Sequence, residues 1–121
     1  MERPGSVSAM VLETAAHVPP GRATTYGLIA EAVRLRTGRG AARHVGAVLS
    51  RSGQEVAWWR VVRADGTLPP ALWARATPMY AREGTPLLAH RAAVDLARAV
   101  WDPVTDPVDP ATDSEAGAHD A

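Results

Sequence analysis

The sequence contains no cysteine, no lysine and no phenylalanine, and it has no long hydrophobic run. Without cysteine there is no disulfide, no thiolate metal ligand and no sulfur nucleophile. Without an apolar stretch near the ~20 residues a membrane helix needs, and with a start of Met-Glu-Arg-Pro, neither a spanning segment nor a secretory leader is expected. A cytoplasmic protein with no membrane partner is the expectation. The four histidines (17, 44, 90 and 119) lack zinc spacing, and the tail aspartates alternate with proline where a calcium loop needs a glycine-centred turn. No metal is expected. Gly38-Arg39-Gly40 is too short for a phosphate-binding loop, so no cofactor is expected. Ser50 and Ser52 have His44 at helical distance but no paired carboxylate and no oxyanion-hole turn. No catalytic residue emerges.

The 121 residues suit one domain, and the 46% apolar share is that of an ordinary globular chain. The formal net charge of zero hides a split. Residues 1–101 hold thirteen Arg against seven acids, and residues 102–121 hold six acids and no Arg. The expected organisation is therefore a body over 1–101 and a disordered, acidic, Pro-rich tail over 102–121. Between Arg22 and Arg63, eight Arg face only Glu31 and Glu55. A block of that sign fits a polyanion partner, or an ordinary solvated face in a chain that uses Arg for every cation.

Val7, Val11, Ala15 and Val18 predict a first helix, which Pro19-Pro20-Gly21 stops. Thr24 and Thr25 are caps for a second, with Leu28, Ile29, Ala32 and Val33 as its stripe and its end near Thr37-Gly38. A third helix carries Ala41, Ala42, Val45, Val48 and Leu49 inward and Arg43, His44, Ala47 and Arg51 outward. The pair reads as a helix-turn-helix. Val56 to Arg63 alternates, and Asp65-Gly66 predicts a hairpin returning through Thr67-Leu68 as a wing. Thr77-Pro78 predicts the start of a short helix closed by Gly84, and Leu88 to Trp101 a last helix with Val94, Ala97 and Trp101 inward. The fold class is mainly α, a winged helix-turn-helix-like domain with one short β-hairpin.

A helix entering a groove needs cations for phosphates and small residues that admit the backbone. Gly40, Ala42, Gly46 and Ala47 around Arg43 meet both needs, and His44 and Arg51 share that helix. Tyr26 beside Gly27 either stacks on a nucleotide or packs over the turn. Of Trp58 and Trp59, neighbours in an extended chain face opposite sides, so one of them lines a surface or a pocket, where an indole offers a face to a base.

Three stretches, Gly21-Arg-Ala-Thr-Thr-Tyr-Gly-Leu-Ile-Ala30, Ala41-Ala-Arg-His-Val-Gly46 and Ala57-Trp-Trp-Arg-Val-Val-Arg-Ala-Asp-Gly66, together resemble the DNA-binding domain of O6-alkylguanine-DNA alkyltransferases. The resemblance runs over about residues 6 to 88 and is greater to the family's non-enzymatic branch, the alkyltransferase-like proteins. It implies that Tyr26 presses on the phosphate beside the target nucleotide and that Arg43 fills the stack after that nucleotide rotates out. It also implies that Ala57-Trp58-Trp59-Arg60-Val61 replaces the Pro-Cys-His-Arg-Val motif, so that Trp58 stands at the acceptor cysteine, Trp59 at the relay histidine, and Glu83 at the glutamate that holds it. An indole is not a nucleophile for alkyl transfer. The resemblance thus implies a sensor that flips and binds O6-alkylguanine in duplex DNA without repairing it, with Tyr26, Trp58, Trp59 and Arg60 at the lesion pocket. It further implies a monomer that marks the lesion for nucleotide excision repair proteins. Ala57 in place of Pro, a short Ser50 to Glu55 loop and an unlike Thr67-Leu-Pro-Pro-Ala71 segment depart from the pattern. A winged-helix regulator or architectural protein that binds duplex DNA without flipping a base is the alternative.

Overall fold

The computed structural model describes residues 6–52 and 56–106. Five helices and two very short strands make it, in the order α1 (Val7–Ala16), β1 (Thr24–Thr25), α2 (Tyr26–Thr37), α3 (Ala42–Ser52), β2 (Val61–Val62), α4 (Pro70–Glu83) and α5 (Leu96–Ala99). The mainly helical class and the helix-turn-helix are as expected, and the first three helices lie where their spacing puts them. Ser6 accepts from the Ala9 amide at the head of α1, and Thr25 accepts from Leu28 N at the head of α2. Each such cap contributes about 1 kcal/mol. Gly38, at φ +75°, closes α2 in the left-handed region.

Val7, Val11 and Ala15 of α1, Ile29, Ala30 and Val33 of α2 and Val45 and Val48 of α3 form one buried cluster. Tyr80 and Ala76 of α4, Val94, Ala99, Leu68 and Ala23 form a second. The two strands join them. β1 and β2 pair in parallel, Thr24 with Val61 and Thr25 with Val62. Alternation along β2 then sends Val61 into the first cluster and Val62 into the second.

Four elements depart from the sequence expectation. Trp58 to Arg60 coil into a 3-10 turn before β2, because the Trp59 carbonyl accepts from the buried Tyr80 hydroxyl at 2.6 Å and Arg60 N donates to Ala57 O. The alternating strand over 56–63 is thereby reduced to two residues. The Asp65-Gly66 turn forms, with Arg63 N on Thr67 O at 3.0 Å, but Thr67-Leu68 does not continue as a strand, so the expected hairpin wing is replaced by a parallel pair. The Gly66 carbonyl accepts instead from Val94 N at 2.9 Å, and Pro69-Pro70 then removes the donors a ladder needs.

The helix expected from Thr77 starts at Pro70, where the missing N–H costs nothing. Pro78 is inside it. The Ala74 carbonyl, which Pro78 cannot serve, accepts from the Thr77 hydroxyl at 3.1 Å. The helix expected over 88–101 is only α5, since Leu88 N donates to Ala93 O and Asp95 N to Pro86 O, folding the chain back across Gly66. Val94 and Trp101 are buried as expected; Ala97 is exposed. In the region expected to be a disordered tail, Asp106 N donates to Asp102 O and closes a turn, while residues 107–121 lie outside the described residues. No helix among the described residues is long and apolar enough to cross a membrane, and none of their His, Asp and Glu side chains gather in a group of three that suits a metal.

Candidate nucleic-acid interface

The outer face of α3 is cationic because its apolar residues are consumed on the other side. Val45 and Val48 are buried, while Arg43, His44, Ala47 and Arg51 are exposed. Arg39, Arg43, Arg51 and Arg63 have no carboxylate partner among the described residues. The basic block is not uniform, however. Arg22 donates to the Ala99 and Val100 carbonyls, Arg34 to Gly40 O, and Arg36 stands 4.0 Å from Glu13. Arg22 and Arg34 serve the fold, while Arg36 and Glu13 make only a loose, exposed pair.

Between α3 and α4 opens a cavity of about 250 Å³. This is many times the ~10–15 Å³ that a single water needs, and it gives room to a planar bicyclic base. Tyr26, at the head of α2, and Trp58 form two of its walls. Gly46, Leu49 and Ser50 of α3 supply the third, and Leu68, Leu72 and Arg75 close the far side. Burial raises the Tyr26 hydroxyl above its ordinary pKa, partly offset by the Arg63 charge. It is therefore a neutral hydrogen-bond donor. Trp58 is half-buried, with the Arg75 guanidinium 5.4 Å from its ring centroid.

Trp59 and Arg60 lie outside this lining and stand behind it. The Trp59 ring meets Trp58 edge-on at 5.7 Å between centroids, and its Nε1–H donates to Glu83 Oε2 at 3.2 Å. Arg60 forks onto the same carboxylate, with Nε at 3.1 Å and Nη2 at 2.5 Å, and its Nη1 donates to Val18 O. The Gly21 amide completes the set. Burial acts against ionisation of Glu83 and is the largest influence on it, but Arg60, Trp59 and Gly21 together outweigh it. Its carboxyl is held below the ordinary range. Glu83 thus fixes α4 against the Trp58–Arg60 turn and the Gly21 bend. Burial, with lesser contributions from Tyr26 and Glu83, raises the Tyr80 hydroxyl far above its ordinary pKa, so it remains a donor to Trp59 O.

The sequence residues thus divide into three groups: Arg43, His44 and Arg51 on the open face, Tyr26 and Trp58 at the cavity, Trp59 and Arg60 in its support. Leu68, Leu72 and Arg75 are additional lining residues. Leu72 and Arg75 share a helix face only if α4 begins at Pro70, and a helix started at Thr77 hides that spacing.

Residues 6–85 match the family of the 6-O-methylguanine DNA methyltransferase DNA-binding domain. The chain belongs to this family. Among solved structures it is similar to S. pombe Atl1, crystallised in complex with damaged DNA containing O6-carboxymethylguanine, with a TM-score of 0.66. The identity is 24%, over 83% of this chain and 98% of that one, and the likeness is one of fold. A search of curated proteins finds no match. The match to the methyltransferase DNA-binding family spans α1 to α4 and therefore both the cationic face of α3 and every residue of the cavity lining.

Proposed function

We propose that this protein is a non-enzymatic sensor of O6-alkylated guanine in duplex DNA. The observation that carries the reading is the base-sized cavity beside α3, walled by Tyr26 and Trp58, in a family member whose sequence has no cysteine. The cationic face of α3 lies along the phosphates, with Arg43, His44 and Arg51 as contacts. Arg43 takes the vacated place in the stack and Tyr26 bears on the adjoining phosphate. The extruded base enters the cavity against Trp58, where stacking is worth about 1–3 kcal/mol, and extrusion costs least for a poorly paired, damaged nucleotide. Trp58 occupies the position of the acceptor thiol and Trp59 that of the relay histidine. Alkyl transfer needs a polarizable nucleophile with a base beside it, and neither indole supplies one. The bound lesion is then left in place, marked for nucleotide excision repair proteins. That S. pombe Atl1 is seen on DNA containing O6-carboxymethylguanine supports the same reading.

The test is binding to a duplex with one O6-methylguanine and to the matched undamaged duplex at one salt concentration. Tighter binding to the lesion is expected, and equal affinity leaves a groove-binding regulator instead. Intact-protein mass after incubation with methylated DNA should be unchanged.

A further inference from the structure

Among the described residues the lining of the cavity is largely apolar, yet it holds one charged group. Leu49, Leu68, Leu72 and the Trp58 ring present carbon, and Arg75 presents a guanidinium. Arg75 lies three residues beyond Leu72 on α4, so the two project from one side of the helix. It is exposed and has no carboxylate partner among the described residues, whereas Arg60, Arg91 and Arg36 each stand within 4.0 Å of one. Its guanidinium is instead parked near the face of Trp58, 5.4 Å from the centroid. A guanidinium held over an indole is oriented by the ring, while the fork of N–H donors at its rim stays free for a planar anion.

We propose that Arg75 is a specificity residue, which makes the cavity select guanines whose O6 substituent carries a carboxylate over those with a neutral substituent of the same size. The inference rests on the base-reading function above. Without Arg75 the lining would work against a carboxylate, because the leucines and the indole face give it no partner and the Tyr26 and Ser50 hydroxyls offer only single neutral donors for the water it loses. Arg75 reverses that preference. The O6 substituent is the part of the lesion absent from ordinary guanine, so a charged group at the cavity wall reads the damage itself. The pair that forms is a bidentate, charge-assisted one beside apolar walls, stronger than the same pair in open water.

Binding by fluorescence anisotropy at one salt concentration tests this with duplexes of one sequence containing guanine, O6-methylguanine, O6-carboxymethylguanine or its neutral isostere O6-carbamoylmethylguanine. The native protein should bind the carboxylate about tenfold more tightly than the amide, the effect of one well-placed charge-assisted pair. Arg75→Gln should bring that ratio to within about twofold of unity, and Arg75→Lys should keep part of it; thermal melting confirms that each variant folds. A ratio near unity for the native protein overturns the proposal, and if both adducts still bind better than guanine the sensor function stands without it. An unchanged ratio in Arg75→Gln overturns it as well, and a uniform loss on all four duplexes then assigns Arg75 to the phosphate backbone. Equal binding of all four duplexes by the native protein removes the sensor function and the inference together.

Discussion

Gly46→Ala should make the protein more stable and a poorer lesion binder. Gly46 is the fifth residue of α3, and a Cβ built there meets no atom of the described residues within 4 Å. The fold has no use for a glycine at this place. An interior helical glycine costs about 0.5–1 kcal/mol relative to alanine. The substitution should return that amount, which for a domain of this size raises Tm by roughly 2–5 °C. The new methyl, however, stands on the α3 wall of the cavity, which Gly46 shares with Leu49 and Ser50 and along which an incoming base must pass. Crowding a closely fitted site costs about 1–3 kcal/mol, so affinity for the lesion duplex should fall at least about fivefold. Circular-dichroism melting and fluorescence anisotropy on the O6-methylguanine duplex read the two effects separately. Lesion binding equal to that of the native protein would show that nothing comes close to Gly46, and a lowered Tm would show that the helix itself requires the glycine. Either result refutes the reasoning.

Gly66→Ala is the opposite case: at φ +84° its Cβ would lie 2.3 Å from the Val94 carbonyl oxygen, and denaturant unfolding should show a loss of about 2 kcal/mol or more. Glu83→Gln breaks the partly buried pair with Arg60 and should cost about 3 kcal/mol at neutral pH. Because the folded-state carboxyl of Glu83 lies below its ordinary value, its contribution is complete above the unfolded pKa near 4.5 and is lost as pH falls through the folded value. The gap between native and variant in urea titrations should therefore close below about pH 4.5, and a gap that is constant with pH would remove Glu83 as its source. Arg43→Ala should weaken lesion binding by about 1–3 kcal/mol with Tm unchanged, since its side chain is exposed and unpaired among the described residues. Trp58→Ala should lower the lesion-to-guanine ratio more than it lowers binding to undamaged DNA, and the same two duplexes check both variants.

The helix-turn-helix was legible because its signals are local. Thr25 caps, Gly38 stops, and Val33, Val45 and Val48 repeat at the helical period. The Trp58–Arg60 turn was not, because its shape comes from Tyr80 and Glu83, more than twenty residues away. Gly66 carried a hairpin signal for a different reason, the close approach of Val94. Pro78 read as a helix start because nothing local reveals that the Thr77 hydroxyl takes the carbonyl it leaves. At the site, Tyr26 and Trp58 were found by residue type and position. Arg75 was missed because its relation to the cavity depends on where α4 begins, and Trp59 and Arg60 belong to the frame because one distant carboxylate claims both.

The parallel pairing of Thr24-Thr25 with Val61-Val62 is only two residues long, yet Tyr26 follows one strand directly and the Trp58–Arg60 turn directly precedes the other. Main-chain hydrogen bonds thereby latch two jaws of the slot, those of Tyr26 and Trp58, to each other. Its gape is set by the backbone, whatever side chains face inward. Substituting the residues that dress the slot should retune which adducts it accepts while the jaws keep their spacing, so a single scaffold of this kind can be refitted for different lesions by point changes alone.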